Sequence, residues 1–269
     1  MTQQERRVFM IKELLKEEIR YKGMEIPTEE KAQREMLRSL VNVRPPRPVS
    51  EEFLRVEGEY LEERLHRLGV IDADALEPVA SDDRLVLWQG DMSRLKCGAV
   101  VNPANAAMLG CFQPLHACLD NVIHTFAGVE LRAACDRQMK AIRAKLGENY
   151  LQPTAIPMMT DAYHLPAEKI IHIVGPIVEG ALTEEHRTQL AACYRNTLIL
   201  CDRGKVTSVA FCCISTGVFQ FPREEAAEIA VKTVRAYLDG GSGVRRVVFD
   251  VFTDEDLEIY ERVLGEKDG

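Results

Sequence analysis

From residue 80 onward, short apolar runs alternate with segments of helical period, and this alternation restricts the fold more than any other property of the chain. The candidate strands are 84–88 (RLVLW), 99–101, 169–174 (KIIHIV), 206–214 (VTSVAFCCI) and 245–252 (RRVVFDVF), all rich in β-branched and aromatic residues. The candidate helices fall at about 114–127, 130–145, 185–203, 223–239 and 254–264. Strands that are apolar along their length fit a sheet covered on both faces, so residues 76–269 are expected to form a three-layer α/β/α domain. Ligands in such folds bind at the carboxyl ends of the strands, on the loops that lead into helices.

Residues 1–75 have a different texture, helical and highly charged, and are expected to form a separate N-terminal extension. Phe9, Ile11, Leu14, Leu15 and Ile19 recur at helical spacing, Thr28 followed by Glu29 and Glu30 reads as a helix start, and VRPPRPVS breaks the pattern. Ser50 opens a further helix that runs to Gly69, a suitable C′ residue. The arm is expected to cap the main domain or to make an oligomer contact, and to be dispensable for chemistry unless it packs over the pocket.

The net charge of −8 over 269 residues argues against a nucleic-acid partner, and no run approaches the ~18–20 apolar residues that would span a membrane. The N-terminus has charges too close to its few apolar residues for a secretory signal. Eight cysteines scattered at 97, 111, 118, 135, 193, 201, 212 and 213 do not form a disulfide framework. Reduced thiols in a cytoplasmic protein are the expectation.

Chemistry is sought at the strand ends. The first candidate strand ends in WQGDMS, where Asp91 can accept from an amine such as the exocyclic group of adenine. The second ends in VVNPANAAMLGC, where Asn102 and Asn105 flank Pro103 with donors and acceptors suited to a ribose diol or to tying the loop together. The fourth ends in CISTGVFQFP, where Ser215, Thr216, Gly217, Val218 and Phe219 could turn successive amides toward an anion.

Cys111, His116 and Cys118 follow with the spacing C-x4-H-x-C, thiolate and imidazole being ligands that zinc prefers. Residues two apart do not share a helix face, so His116 and Cys118 require a loop, or a distorted first helical turn begun near Pro114. Three protein ligands with the fourth position open is the catalytic pattern, whereas a fourth protein ligand would make the site structural. Cys212, Cys213 and His172 sit in apolar strands, where a cysteine behaves as a small hydrophobe, and His124 reads as a helix residue with a hydrogen-bond partner.

Together, GDMS…VVNPAN…IHIVGP…STGVFQFP resembles the macrodomain family, modules that bind ADP-ribose. In place of that family's glycine-rich loop ending in V-D-x-x-I-H stands LGCFQPLHACLDNVIH, similar to the zinc-dependent subgroup, which also carries a helical N-terminal extension. The resemblance covers most of 80–265 and departs from the family pattern at 155–160, AIPMMT, where members often have G-x-A-x-x-T. It implies a mixed central sheet, a Zn²⁺ cofactor held by Cys111, His116 and Cys118, and hydrolysis of mono-ADP-ribose from a modified protein, with Asp or Glu ester links as the precedent. It implies adenine contact by Asp91 beside Met92, a distal-ribose contact by Asn105, a bracing role for Asn102 at the ligand loop, and a phosphate loop at Ser215–Phe219. Asp120 matches the family's Asp, with Leu119 in place of Val, and is a candidate to contact the diphosphate region or orient water. A lipoyl-carrier protein is the partner the resemblance suggests. A non-catalytic ADP-ribose-binding module with a structural zinc is the alternative.

Overall fold

Leu85–Gln89, Ala99–Pro103, Lys169–Ile173, Ser208–Phe211 and Arg246–Val251 are mostly aliphatic, and each lies beside its neighbour in parallel, as strands buried on both faces do. In the computed structural model, which describes residues 1–265, these strands are β2, β4, β6, β7 and β8. They form a six-stranded sheet in the order β2-β8-β7-β4-β6-β5, closed at one edge by the antiparallel β5, Met158–Asp161. A two-residue parallel pair, β1 (Ile71–Asp72) with β3 (Leu95–Lys96), stands apart from it.

Helices α4 (Leu119–Ala127), α5 (Val129–Leu146), α6 (Glu184–Gly204), α7 (Arg223–Asp239) and α8 (Asp254–Gly265) pack with the sheet to complete a mixed α/β/α domain. Its core joins the strands to fully buried side chains such as Leu131, Tyr194, Leu198 and Ala227, with Tyr194 tilted against Phe211 at 4.9 Å between ring centroids. Among the described residues, no helix is long and apolar enough to cross a membrane.

The arm holds α1 (Gln3–Lys16), α2 (Glu30–Val43) and α3 (Glu51–Leu68), each with a side-chain N-cap: Thr2, Glu29 and Ser50. Their own small core, with Met10, Ile11, Leu14, Leu37, Leu40, Phe53 and Val56, reaches Val129 at the start of α5. The arm is therefore seated on the α/β domain through apolar contact. Glu57 of α3 reinforces the seat by accepting from the Val129 amide at 3.2 Å, at the positive end of α5.

The structure departs from the sequence expectations at three places. The run 206–214 forms a strand only over Ser208–Phe211, and the apolar Cys212 and Ile214 are buried in the loop beyond it. β5 was not anticipated, because a four-residue edge strand carries little periodic signal. The helix expected from residue 114 begins at Leu119: Leu115 adopts φ +55°, which no right-handed helix accepts, and the Cys118 sulfur accepts from the Asn121 amide as an N-cap.

Candidate functional site

The loops after β2, β4, β6, β7 and β8 emerge on one edge, at the carboxyl ends of the parallel strands. After β2, Asp91 caps a short 3₁₀ turn, its Oδ1 accepting from the Ser93 amide (3.0 Å) and hydroxyl (2.6 Å). Its Oδ2 pairs with Arg64 Nη2 at 3.1 Å. Arg64 belongs to α3 of the arm, and its guanidinium lies 3.5 Å from the centroid of the Phe126 ring. Met92, expected among the ligand contacts, turns its side chain into the core. At the end of β8, adjacent to this turn, Phe252 is 83% exposed while Gln89 Nε2 donates to its carbonyl.

After β4, the two asparagines divide the work. Asn105 closes its own loop, its Oδ1 accepting from the Ala107 amide (3.0 Å) and its Nδ2 donating to the Gly110 carbonyl (3.1 Å). Asn102 is wholly buried and donates to Asp120 Oδ1 (2.8 Å) and His172 Nδ1 (3.0 Å). An amide N–H donor fixes Nδ1 of His172 as an acceptor, so Nε2 carries the proton and faces Thr160 Oγ1 at 3.0 Å. Burial holds His172 down to about 3 and keeps it neutral. Asp120 is 4% exposed; burial lifts its carboxyl to about 6 against the Asn102 hydrogen bond and the Arg132 charge.

Cys111, His116 and Cys118 lie between Asn105 and α4, with their donor atoms all within 4.8 Å of one another. Cys111 Sγ and His116 Nδ1 are 3.7 Å apart, and all three residues are half-buried. Two sulfurs and one imidazole nitrogen converging from a single irregular loop fit zinc in type, number and accessibility. Burial, with the Cys111 thiol alongside, pushes Cys118 up to about 12, so uptake of a cation there must displace a proton. Gly110, at φ +79°, is obligatory in this loop, because a Cβ there would stand 2.7 Å from the His124 ring.

A second convergence, His124, Cys135 and His172, also brings donor atoms within 4.8 Å. It is completely buried, and both nitrogens of His172 are engaged by Asn102 and Thr160. It forms a neutral polar layer under the site, with His124 also held well below the ordinary histidine range by burial.

After β7, Ser215 takes φ +67° and the chain turns through Thr216, whose Oγ1 donates to the Cys213 carbonyl at 3.0 Å. Among the described residues, no protein acceptor takes a hydrogen bond from the Gly217, Val218 or Phe219 amides, and the Ser215 hydroxyl is buried without a partner. Unpaired amides in succession ahead of the α7 N-terminus are the ingredients of an anion nest. Gly175, after β6, admits this loop: a Cβ on it would fall 2.1 Å from Ser215 Oγ.

Thus Asp91, Asn105, the Cys111–Cys118 segment and Ser215–Phe219 all sit on loops at one edge of the sheet, while Asn102 and Asp120 lie beneath it. Sequence reasoning did not single out Arg64, Phe126 and Phe252, nor the Arg38, Asn42 and Arg132 side chains that touch the ligand loop. An arginine on an exposed-looking helix carries no local mark of its partner, although Phe252 could have been noticed as an aromatic at a strand's carboxyl end.

A mixed α/β/α domain with unpaired amides after β7 and a carboxylate after β2, the two strands that flank β8, has the architecture of folds that bind ligands at the carboxyl edge of the sheet. The Macro domain family matches residues 101–230, and relatives extend the match over nearly the whole chain: the chain belongs to the macrodomain family. It is 44% identical over 267 residues to the protein-ADP-ribose hydrolase of Treponema medium, covering 98% of this chain and all of the relative. It is 45% identical over 232 residues to the protein-ADP-ribose hydrolase of Staphylococcus aureus (strain MSSA476), covering 86% and 84%. Among solved structures, an Oceanobacillus iheyensis macrodomain variant with ADPR superimposes with a TM-score of 0.60 at 33% identity, over 69% of this chain and 94% of that one. The Trypanosoma brucei macrodomain in complex with ADP-ribose gives 0.63 at 26% identity, over 85% and 95%.

Proposed function

We propose that the chain is a zinc-dependent protein-ADP-ribose hydrolase that releases mono-ADP-ribose from ester-linked Asp or Glu side chains of a protein. The observation that carries this reading is the convergence of Cys111, His116 and Cys118 within 4.8 Å, in the segment directly after the Asn105 loop. Relatives at 44% and 45% identity that bear the name protein-ADP-ribose hydrolase support the activity.

In this reading the Asp91 carboxylate accepts from the adenine amine, and Phe252 offers an exposed ring for the base to stack on. The free amides of Gly217, Val218 and Phe219 hold the diphosphate, with the Ser215 hydroxyl as a further donor. Asn105 shapes the loop that meets the distal ribose, and Met92 contributes backbone only. Asp120, at 4% exposure, serves from below by fixing Asn102 and the first turn of α4. Cys111, His116 and Cys118 would hold zinc, which when bound supplies Lewis-acid polarisation of an oxygen at the distal ribose. Hydrolysis adds one water across the ester: the ribose leaves with a hydroxyl and the side chain regains its carboxylate. A lipoyl-carrier protein is the proposed substrate class, in a reducing cytoplasm that suits eight free cysteines.

A second reading, an ADP-ribose-binding module with a structural zinc, draws on Asn105 having both ends of its amide engaged within its own loop. Mono-ADP-ribosylated protein incubated with wild type and Cys118→Ser separates the two. Hydrolysis predicts ADP-ribose release by wild type, and a large loss in the variant with retained ADP-ribose binding. Tight binding by wild type with no release would leave the module reading in place.

A further inference from the structure

The segment that carries Cys111, His116 and Cys118 contains no helix or strand from Ala104 to Cys118. It includes three left-handed residues, Met108, Gly110 and Leu115. Such a segment has no ladder of its own to hold three ligands in place, so its main-chain partners decide its shape.

Those partners come largely from outside the loop, and α2 supplies two of them. Arg38 Nη2 donates to the His116 carbonyl at 2.8 Å and to Asn121 Oδ1 at 2.8 Å, with Nε adding 3.3 Å to the same oxygen. One turn on, Asn42 Oδ1 accepts from the Leu115 amide at 3.1 Å, and its Nδ2 donates to Thr125 Oγ1 at 2.9 Å. The spacing of four residues places both side chains on one face of α2. They grip the main chain at a ligand residue, His116, and at its strained neighbour Leu115.

Asn121, oriented by Arg38, passes the constraint on. Its Nδ2 donates to the Gln113 carbonyl at 2.9 Å, and its amide donates to Cys118 Sγ at 3.4 Å. Arg132 of α5 completes the frame from the other side. Its Nε donates to the Leu109 carbonyl at 2.8 Å and its Nη2 to the Cys111 carbonyl at 3.4 Å. Its Nη1 meets the C-terminal carbonyls of α2 at Val41 (3.2 Å), Asn42 (2.9 Å) and Arg44. Those carbonyls stand at the negative end of a helix, where a cation is favoured.

We infer that α2 of the N-terminal arm is a working part of the metal site: Arg38 and Asn42 are positioning residues that pre-form the Cys111–His116–Cys118 loop for its cation. This rests on the metal reading given above and extends it to a segment outside the matched Macro domain region, 101–230. The arm's attachment is then tied to function, because displacing α2 removes the supports at Leu115, His116 and Asn121 together.

The test uses the full chain, with zinc affinity measured by competition against a chromophoric chelator and with the visible spectrum of the cobalt-substituted protein. Arg38→Met and Asn42→Ala are compared with Arg38→Lys, which keeps one donor, and with Arg34→Ala, which on the same helix loses only an exposed pair with Glu30. Cooperative unfolding in excess chelator verifies the fold of each. Arg38→Met and Asn42→Ala should each bind zinc roughly 10- to 100-fold more weakly, in the range for residues that orient ligands. Their cobalt spectra should lose intensity, Arg38→Lys should recover part of the affinity, and Arg34→Ala should match wild type. Wild-type zinc affinity and cobalt spectra in both Arg38→Met and Asn42→Ala would overturn the inference. Failure of wild type itself to take up either metal would overturn the metal reading, and this inference with it.

Discussion

Glu57 makes the seating of the arm sensitive to pH. Its carboxyl is 3% exposed, accepts from the Val129 amide and is raised from 4.5 to about 7, with burial outweighing that hydrogen bond. Because the folded chain holds this proton more tightly than the unfolded chain, the stabilisation is fully present below pH 4.5 and is lost as pH rises through about 7. A shift of 2.5 units at 1.36 kcal/mol each is about 3 kcal/mol. Glu57→Gln keeps an acceptor for Val129 without an ionisation. Chemical unfolding of metal-free protein from pH 5 to pH 8 should show the variant gaining about 2.5 kcal/mol over wild type, the part of that shift which falls inside the interval. His172 acts in the opposite sense: held down to about 3, it costs stability as pH falls below 6.5, equally in both proteins, and cancels in the difference. Parallel stability curves for the two proteins would refute the argument that an anionic Glu57 is opposed by burial.

Three further outcomes are expected. Asp91→Ala should weaken ADP-ribose binding roughly 10- to 150-fold by calorimetry, through loss of a charge-assisted hydrogen bond of about 1.5–3 kcal/mol. Unchanged affinity would remove the adenine assignment. Phe252→Ala should reduce the same affinity by about 1–3 kcal/mol if the base stacks there, with the thermal midpoint unmoved because the ring is 83% exposed. Gly175→Ala should abolish high-affinity binding while zinc uptake persists, since its Cβ would fall 2.1 Å from Ser215 Oγ and push the phosphate loop aside; normal binding would show that this loop is not part of the pocket.

The sheet was legible in the sequence because strands covered on both faces leave unbroken apolar runs, as in KIIHI of β6. The same rule misled at Cys212 and Ile214, whose burial comes from the loop and not from the sheet. β5 escaped because four residues at an edge, MMTD, need only one covered face. The C-x4-H-x-C spacing was visible, but its helix start was not: Cys118 caps α4 with a sulfur, a role usually read from Ser, Thr, Asp or Asn. Asp91 and Asn105 could be singled out from their place after strands. Their partners could not, since the ion pair from Arg64 to Asp91 spans 27 residues and the hydrogen bond from Arg38 to the His116 carbonyl spans 78. Pairings of that range are set by how α2 and α3 pack, which local sequence does not encode.

The proposed hydrolysis of the ester requires a cation at Cys111, His116 and Cys118. The most direct measurement strips the full chain of metal, restores zinc in steps, and follows ADP-ribose release from substrates with defined ester and non-ester linkages. The expected result is no release without zinc, a rate that rises to a plateau at about one zinc per chain, and selectivity for the ester. Full-rate release by the metal-free protein would contradict it.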